Sequence, residues 1–203
     1  LYDDMQYTKR DWRNRNKIKT PNGLVWLTVP VAVKGKYFQK INETKISDKE
    51  WGGKHLNMLK QNYSKAKCYK EVIGFVEEMY SLAVQDTISE VNYHFISKLC
   101  DYLKIETKLS FSSEYSIENE DKTAKLVDIC IQAKAQRYFT GPAAQNYMDE
   151  GLFGKENIQV KYYDYCNYKE YNQLHGEFEH GVSILDLLFS EGERSSMFLK
   201  TDG

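Results

Sequence analysis

Apolar residues through the middle of the chain recur every three to four positions, which is the spacing of one face of an α-helix. The first such face consists of Trp51, His55, Leu59 and Tyr63. Ser47 and Glu50 have the spacing of a capping box and predict where this helix begins. The same apolar spacing predicts two more helices, over 69–82 and 88–103. We therefore expect a largely helical insertion at about residues 48–103.

The segments on either side of this insertion have the composition of strands. Before it, β-branched residues predict a strand over 24–33, in which Pro30 indicates an edge or a bulge, and a second strand over 37–46. After it, strands are predicted over 106–111, 137–140 and 158–165, and helices over 121–135, 143–149 and 182–189. This alternation favours parallel β-α-β units. The expected fold class is α/β, with a mixed Rossmann-like sheet and flanking helices in a single domain over residues 1–203.

The composition excludes several classes of protein. The 203 residues are 41% hydrophobic and 28% charged, which is typical of globular proteins and not of disordered ones. Lys and Arg total 28 against 29 Asp and Glu; the net charge of -1 excludes a strongly basic protein that coats DNA, and nucleic acid is not an expected partner. No apolar run approaches the roughly 20 residues that span a bilayer.

The cysteine spacing and the absence of known nucleotide-binding motifs disfavour further classes of protein. The four cysteines lack the spacing of a zinc site, so no metal site is predicted, and they suit reduced thiols in a cytoplasmic protein. The chain has no P-loop and no GxGxxG motif, which disfavours a Walker-type ATPase and a classical dinucleotide dehydrogenase. ATP use through another motif stays open.

A basic segment near the start of the chain is the first candidate binding site. Its hydrogen-bond donors are Gln6, Lys9, Arg10, Asn14, Arg15 and Lys17. Guanidinium and ammonium groups suit phosphate and carboxylate. Because the net charge of the whole chain is near zero, this local feature suits a small anionic substrate better than a polymer. A solvated surface loop is the alternative interpretation.

Asp3 and Asp4 come directly before this segment, at a predicted strand end, where open α/β sheets bind their ligands. Two adjacent carboxylates on an extended chain point to opposite sides. One could act as general base or accept a hydroxyl of the substrate while the other anchors the segment through Arg10 or Arg15. A turn held by local ion pairs is the alternative, and which of the two carboxylates faces the site stays open.

His55 lies on the apolar face of the first predicted helix. The unperturbed imidazole pKa of about 6.5 suits a general base, although a hydrogen-bonded core histidine fits the same pattern. Further candidate substrate-binding residues are Ser112, Tyr138, Gly141, Tyr171 and Gln173. Ser112 follows one predicted strand, and Tyr138 and Gly141 mark the end of another, where a hydroxyl or an exposed glycine backbone could contact a ligand. Tyr171 and Gln173 either line the same cleft or pack the C-terminal segment.

Four blocks of residues lie in order along essentially the whole chain. They are the stretches DDMQYTKR, NRNKIKT and LTVPV within 3–31; Trp51 with His55 and Tyr63; 138–142 with 147–149; and 171–173 with 182–188. Together these blocks resemble the WbqC-like family of bacterial polysaccharide-cluster proteins. The family's usual opening, a stretch similar to Gln-Pro-x-Tyr-Leu-Pro-Trp, is absent, so we expect the chain to be N-terminally incomplete.

The resemblance implies a transferase of surface-glycan biosynthesis of the O-antigen type. Such an enzyme would transfer glycine or another small acyl group to an amino sugar, in one version a nucleotide-linked amino sugar. Asp4 and His55 are then the candidate catalytic bases, and ATP or an activated acyl donor is the candidate co-substrate. Two alternatives stay open: a non-catalytic module that binds nucleotide-sugars, and a nucleic-acid-directed modification protein. The oligomeric state is not predicted.

Overall fold

The computed structural model describes residues 1–9 and 11–200, which form six α-helices, four β-strands and several short 3₁₀ turns. The strands are β1 (Arg15–Thr20), β2 (Gly23–Thr28), β3 (Arg137–Thr140) and β4 (Gln159–Tyr162). The helices are α1 (Trp51–Tyr63), α2 (Tyr69–Ser81), α3 (Ile88–Leu103), α4 (Lys122–Gln132), α5 (Glu150–Lys155) and α6 (Ile184–Glu191). None of these described helices is long and apolar enough to cross a membrane.

The chain forms two compact units. The smaller unit comprises Leu1–Tyr2 and Ser110–Asn167, and the larger comprises Asp3–Leu109 and the chain from Tyr168 onward. The mixture of helices and strands confirms the predicted α/β class. Among the described residues the strands pair in two separate two-stranded sheets, and a single Rossmann-like sheet is not among them.

In the larger unit, β1 and β2 form an antiparallel hairpin. Gly23 closes its turn with a φ of 101°, a left-handed value that favours glycine. Ile18 on β1 is fully buried and anchors the hairpin to the core. The strand predicted over 24–33 ends earlier, at Thr28, because Pro30 has no N–H with which to continue the ladder.

Strand β1 lies in the basic segment, for which the sequence predicts a loop. That prediction was wrong for Arg15–Thr20. Its sequence, RNKIKT, contains one large apolar side chain and therefore has no alternating apolar pattern. The six residues form a strand because β2 supplies their hydrogen-bond partners and the core buries Ile18.

The three predicted helices of the central region are present as α1, α2 and α3. Their inner faces and that of α6 form the main core of the larger unit, which includes Leu59, Tyr63, Val72, Val76, Met79, Val91, Leu188 and Phe189. The predicted capping box at Ser47 was wrong, since the residue that precedes α1 is Glu50. The side chain of Asp48 instead accepts a hydrogen bond of 2.9 Å from the Glu50 N–H.

In the smaller unit, β3 and β4 pair in parallel and α5 lies between them in sequence. This confirms the predicted β-α-β unit. Its core consists of Val127, Cys130, Phe153 and Ile158. Helix α4 begins as predicted, because the Asp121 carboxylate accepts hydrogen bonds of 2.9 Å from the N–H groups of Thr123 and Ala124.

Three strand predictions were wrong. Asp3 and Asp4 follow no strand. Residues 37–46 contain a 3₁₀ turn at Ile41–Glu43, and residues 106–111 have no regular structure. Tyr37 and Phe38 are 75% and 83% exposed, so their side chains do not pack on the face of a sheet.

Candidate functional site

A cavity of about 210 Å³ lies in the larger unit. It is lined by the hairpin and the 3₁₀ turn before it, by α1, α2 and α3, and by the start of α6. The apolar lining consists of Trp12, Leu27, Val29, Trp51, Tyr80, Val91, Phe95, Leu99, Ile184 and Leu185. The polar lining consists of Arg13, Asn14, Arg15, Asn16, His55, Asn92 and Ser183. The lining therefore combines an apolar wall with a few polar groups, as is typical of ligand-binding sites.

Three aromatic rings form one wall of this cavity. Tyr80 and Phe95 meet edge to face with ring centres 5.0 Å apart. Trp51 lies 5.8 Å from Tyr80 and 6.0 Å from Phe95. Mutual contacts of this kind hold the rings in fixed orientations, so the wall is preformed.

His55 lies one helical turn after Trp51 and faces the cavity with it. Its Nε2 atom is 3.0 Å from the carbonyl oxygen of Thr28, at the end of β2. Because a carbonyl oxygen only accepts, Nε2 carries the proton, and the neutral ring has its lone pair on Nδ1. Burial lowers the pKa of His55, and the bond to Thr28 opposes only part of that shift. His55 is therefore a neutral proton acceptor at pH 7.

Asn14 ends the 3₁₀ turn before β1 and is held by Val29. Its Nδ2 atom donates to the Val29 carbonyl oxygen at 2.9 Å, and its own carbonyl oxygen accepts from the Val29 N–H at 2.8 Å. Among residues 1–9 and 11–200, nothing donates a hydrogen bond to the buried Oδ1 atom of Asn14. The amide predicted as a donor toward substrate therefore donates one hydrogen bond within the protein, and its acceptor has no donor among the described residues.

The charged lining residues are arginines. Arg13 forms an ion pair with Asp11, and burial lowers its pKa. The guanidinium of Arg15 stacks on Trp26 with 4.2 Å between its central carbon and the ring centre, and Lys17 Nζ is 5.2 Å from the same ring centre. No carboxylate is among the described residues that line the cavity. The electrostatic field there favours an anionic ligand.

The two predicted carboxylates lie outside the cavity lining. Asp3 is buried and accepts a hydrogen bond from the Ser89 hydroxyl. Asp4 is partly exposed, and its carboxylate is 3.6 Å from Lys40 Nζ. The structure therefore does not bring Asp4 and His55 together in one pocket.

The remaining residues of the basic segment are dispersed. Gln6 donates from Nε2 to the carbonyl oxygen of Tyr37 at 2.9 Å, and Lys9 is exposed. Arg10 lies outside the described residues. Of the six predicted donors, only Asn14 and Arg15 are among the described residues lining the cavity.

Three predicted binding residues belong to the smaller unit. Ser112 is buried, and its N–H donates to the carbonyl oxygen of Leu1 at 2.8 Å. Tyr138 stacks on Phe153 with ring centres 4.9 Å apart, and burial raises its pKa. Gly141 precedes a 3₁₀ turn with an ordinary φ of -72°. None of these three residues is among the described residues that line the cavity.

Tyr171 and Gln173 belong to a buried polar network of the larger unit. Asp186, which is 1% exposed, accepts hydrogen bonds from Tyr63 at 2.7 Å and from Tyr171 at 3.0 Å. Gln173 donates to the Tyr171 hydroxyl at 3.2 Å and accepts from Lys19 Nζ at 2.7 Å. Of the two interpretations left open, packing of the C-terminal segment accounts for these contacts.

Several lining residues were missed by sequence reasoning. Tyr80 and Phe95 carry only the ordinary apolar signal of α2 and α3, which does not distinguish a cavity wall from a core. Asn92, whose Nδ2 donates to the Arg13 carbonyl oxygen at 2.9 Å, has no local signal at all. The described residues contain no cluster of His, Cys, Asp and Glu able to hold a metal ion.

The comparisons with known proteins decide the family. The model of the WbqC-like protein family matches residues 1–197. This chain belongs to the WbqC-like family. A relative, Uncharacterized protein Rv1507c of Mycobacterium tuberculosis (strain ATCC 25618 / H37Rv), is 44% identical over 200 residues, which cover 98% of this chain and 86% of the relative. No solved structure matches the chain significantly. WbqC-like proteins are associated with polysaccharide biosynthesis, and the resemblance noted in the sequence is confirmed.

Proposed function

We propose that this chain is a cytoplasmic transferase of surface-glycan biosynthesis that transfers glycine or another small acyl group to an amino sugar linked to a nucleotide. Family membership supports the biosynthetic context. The observation that carries the proposal is a cavity lined by a neutral histidine and by arginines, with no carboxylate among its described lining residues. Such a lining suits an anionic substrate that loses a proton during reaction.

The size of the cavity supports a small reacting group. Its volume of about 210 Å³ is below the range of about 300–1,000 Å³ that is typical of pockets for drug-sized ligands. One sugar ring or one small acyl group suits this space, and a whole nucleotide-sugar does not. The nucleotide phosphates would then lie toward Arg15 and Lys17, whose charges flank Trp26.

The chemistry assigned to the site is acyl transfer to an amine. The amine nitrogen of the sugar attacks the carbonyl carbon of an activated acyl donor, such as an acyl phosphate or acyl adenylate made at the expense of ATP. The new C–N bond forms, the bond from the acyl carbon to the phosphate oxygen breaks, and the amine proton passes to a base. His55 is favoured over Asp4 as that base, because it lines the cavity whereas Asp4 faces Lys40. Arg15 would stabilise negative charge on the phosphate that leaves.

A non-catalytic nucleotide-sugar binding module is the second candidate. The observation that favours it is the separation of Asp4 from the cavity, which leaves His55 as the one candidate base among the described lining residues. A site with a single candidate base and no visible nucleophile can bind its ligand without catalysing a reaction.

Turnover distinguishes the two candidates. The protein is incubated with a nucleotide-linked amino sugar, isotopically labelled glycine and ATP, and the sugar is followed by mass spectrometry. The transferase predicts a labelled product that His55→Gln abolishes, and that His175→Gln, which replaces a histidine outside the cavity lining, preserves. Saturable binding of the nucleotide-sugar without product favours the binding module. Absence of both binding and product contradicts both candidates.

A further inference from the structure

The buried amide oxygen of Asn14 is a polar atom that the described part of the fold leaves without a hydrogen bond. Asn14 is 7% exposed, and within the described chain its Oδ1 atom receives no hydrogen bond. A buried acceptor without a donor is costly, so folded proteins rarely contain one without a reason. Asn14 belongs to the lining of the cavity described above, where a ligand could supply the donor.

The orientation of the amide is fixed by its surroundings. Nδ2 of Asn14 donates to the Val29 carbonyl oxygen at 2.9 Å. Turning the amide over would place Oδ1 against that carbonyl, so that two acceptors would face each other. The backbone bond of 2.8 Å between the same two residues keeps them in register. Oδ1 is therefore held in place as an acceptor before any ligand arrives, which is the preorganisation that specific recognition needs.

The next residue supplies a charge. Arg15 also lines the cavity, and its guanidinium is held flat against Trp26. Asn14 and Arg15 both belong to the cavity lining, so a ligand there can meet an amide and a cation. The aromatic wall of the same cavity contains Trp51 and Tyr80.

On the basis of the function proposed for this cavity, we infer that Asn14 is a specificity-determining residue whose Oδ1 atom accepts a hydrogen bond from an O–H or N–H group of the substrate. The chemical class that fits is a small molecule with such a donor a few bonds away from a carboxylate or phosphate. The anionic group lies toward Arg15 and the donor toward Asn14. A ligand that offers a methyl group in place of the donor leaves Oδ1 unsatisfied and is rejected.

Pairs of isosteric probes test this inference directly. Glycolate and propanoate differ only by a hydroxyl in place of a methyl group, and 2-hydroxyethyl phosphate and propyl phosphate form the same comparison for a phosphate. Binding is titrated by NMR on the nitrogen-15-labelled protein, through the side-chain amide signals of Asn14 and Asn92. We expect the hydroxyl probe of at least one pair to bind about tenfold more tightly than its methyl isostere. The pair that shows the preference tells whether the anion is a carboxylate or a phosphate.

Two variants complete the test. Asn14→Leu keeps the side-chain size, removes the acceptor and should abolish the hydroxyl preference. Asn92→Leu changes the same cavity but leaves Asn14 in place, and should retain the preference. If Asn14→Leu does not fold, the comparison of isosteres on the unaltered protein still decides.

Equal or tighter binding of both methyl isosteres, or no shift of the Asn14 signals with any probe, overturns the role of Asn14. The transfer assay described above is read separately. Hydroxyl preference without transfer supports the role of Asn14 and contradicts the transferase. Transfer without hydroxyl preference supports the transferase and contradicts the role of Asn14.

Discussion

The Nε2 atom of His55 lies 3.0 Å from the carbonyl oxygen of Thr28, and this bond ties the middle of α1 to the end of β2. The same ring packs edge-on against Trp51, with 5.2 Å between the ring centres. His55 thus has a structural bond on one ring nitrogen, and its neutral form keeps a lone pair on the other. A stabilising role and a chemical role are compatible in one side chain.

The burial of His55 predicts a pH dependence of stability. Its pKa is lowered in the folded protein, so the unfolded chain binds more protons between that lowered value and the unfolded value of about 6.5. The contribution of His55 to the free energy of unfolding should therefore be fully present above about pH 7.5. It should fall as the pH drops through about 6.5 and level off below the lowered pKa.

Urea unfolding between pH 5 and pH 8 measures this dependence. His55→Gln keeps an N–H donor for Thr28 but does not titrate, so it should flatten the slope relative to the unaltered protein. His175→Gln is the matched control, since His175 also contacts a backbone carbonyl, that of Asn62 at 2.8 Å, and leaves His55 in place. Identical slopes for the unaltered protein and His55→Gln would show that folding does not lower the pKa of His55.

The network around Asp186 predicts unequal costs for two conservative changes. Tyr63 is fully buried, donates to Asp186 and accepts from the Lys19 N–H at 3.1 Å. Tyr63→Phe leaves Asp186 Oδ2 without this donor and the Lys19 N–H without this acceptor, and should lower the free energy of unfolding by about 3 kcal/mol. Tyr171→Phe, at a partly exposed position, should lower it by about 1 kcal/mol.

Chemical denaturation of both variants checks this order. Tyr37→Phe, at a side chain that is 75% exposed, serves as control and should change stability by less than about 0.5 kcal/mol. A cost for Tyr171→Phe equal to that of Tyr63→Phe would contradict the account of the network.

The backbone conformation of Gly192, which follows α6, predicts that a larger residue at this position lowers stability. It has a φ of 56°, and a Cβ atom there would lie 2.6 Å from the carboxyl carbon of Glu71. That carboxylate accepts a hydrogen bond of 2.7 Å from the Glu193 N–H, so it cannot move away freely. Gly192→Ala should therefore destabilise the protein by about 1–3 kcal/mol in thermal or urea unfolding.

Gly53 provides the matched control for this change. It is an exposed position of α1, where a Cβ atom would meet nothing within 4 Å among the described residues. Gly53→Ala should stabilise the protein by about 0.4–1 kcal/mol, since alanine restricts the unfolded chain and favours the helix. The two glycine variants should change stability in opposite directions, so a general effect of replacing glycine with alanine cannot explain both results.

Arg15 is expected to contribute to the affinity for an anionic substrate. Removal of its guanidinium in Arg15→Ala should weaken binding of a nucleotide-sugar at least about tenfold in calorimetric titration. Arg15→Lys keeps the positive charge but not the planar guanidinium group, so its affinity should lie between those of the unaltered protein and Arg15→Ala. Lys36→Ala removes one positive charge at an exposed position and should leave the affinity nearly unchanged. Unaltered affinity in Arg15→Ala would place the anionic group elsewhere.

The secondary structure of this protein follows from its sequence wherever one face of an element is apolar. Helices α2 and α3 are predicted within one residue of their ends by the period of residues such as Val72 and Val91, and the apolar face of α1 is predicted although its start is not. Strands β3 and β4 are likewise predicted from their local patterns. Strand β1 is not, because its RNKIKT sequence contains a single apolar side chain and depends on pairing with β2.

The candidate site divides in a similar way. The sequence by itself determines the helical face that carries Trp51 and His55 and the basic character of the segment that contains Arg15. Only the tertiary structure separates Asp4 from His55. Only the tertiary structure also brings Asp186 within hydrogen-bond distance of Tyr63, which lies 123 residues earlier in the chain. It also bonds one N–H of Asn14 to Val29, where the sequence suggests a donor toward substrate. The physical reason is that apolar periodicity depends on near neighbours in sequence, whereas the partner of a polar atom is set by whichever distant group the fold brings within about 3 Å.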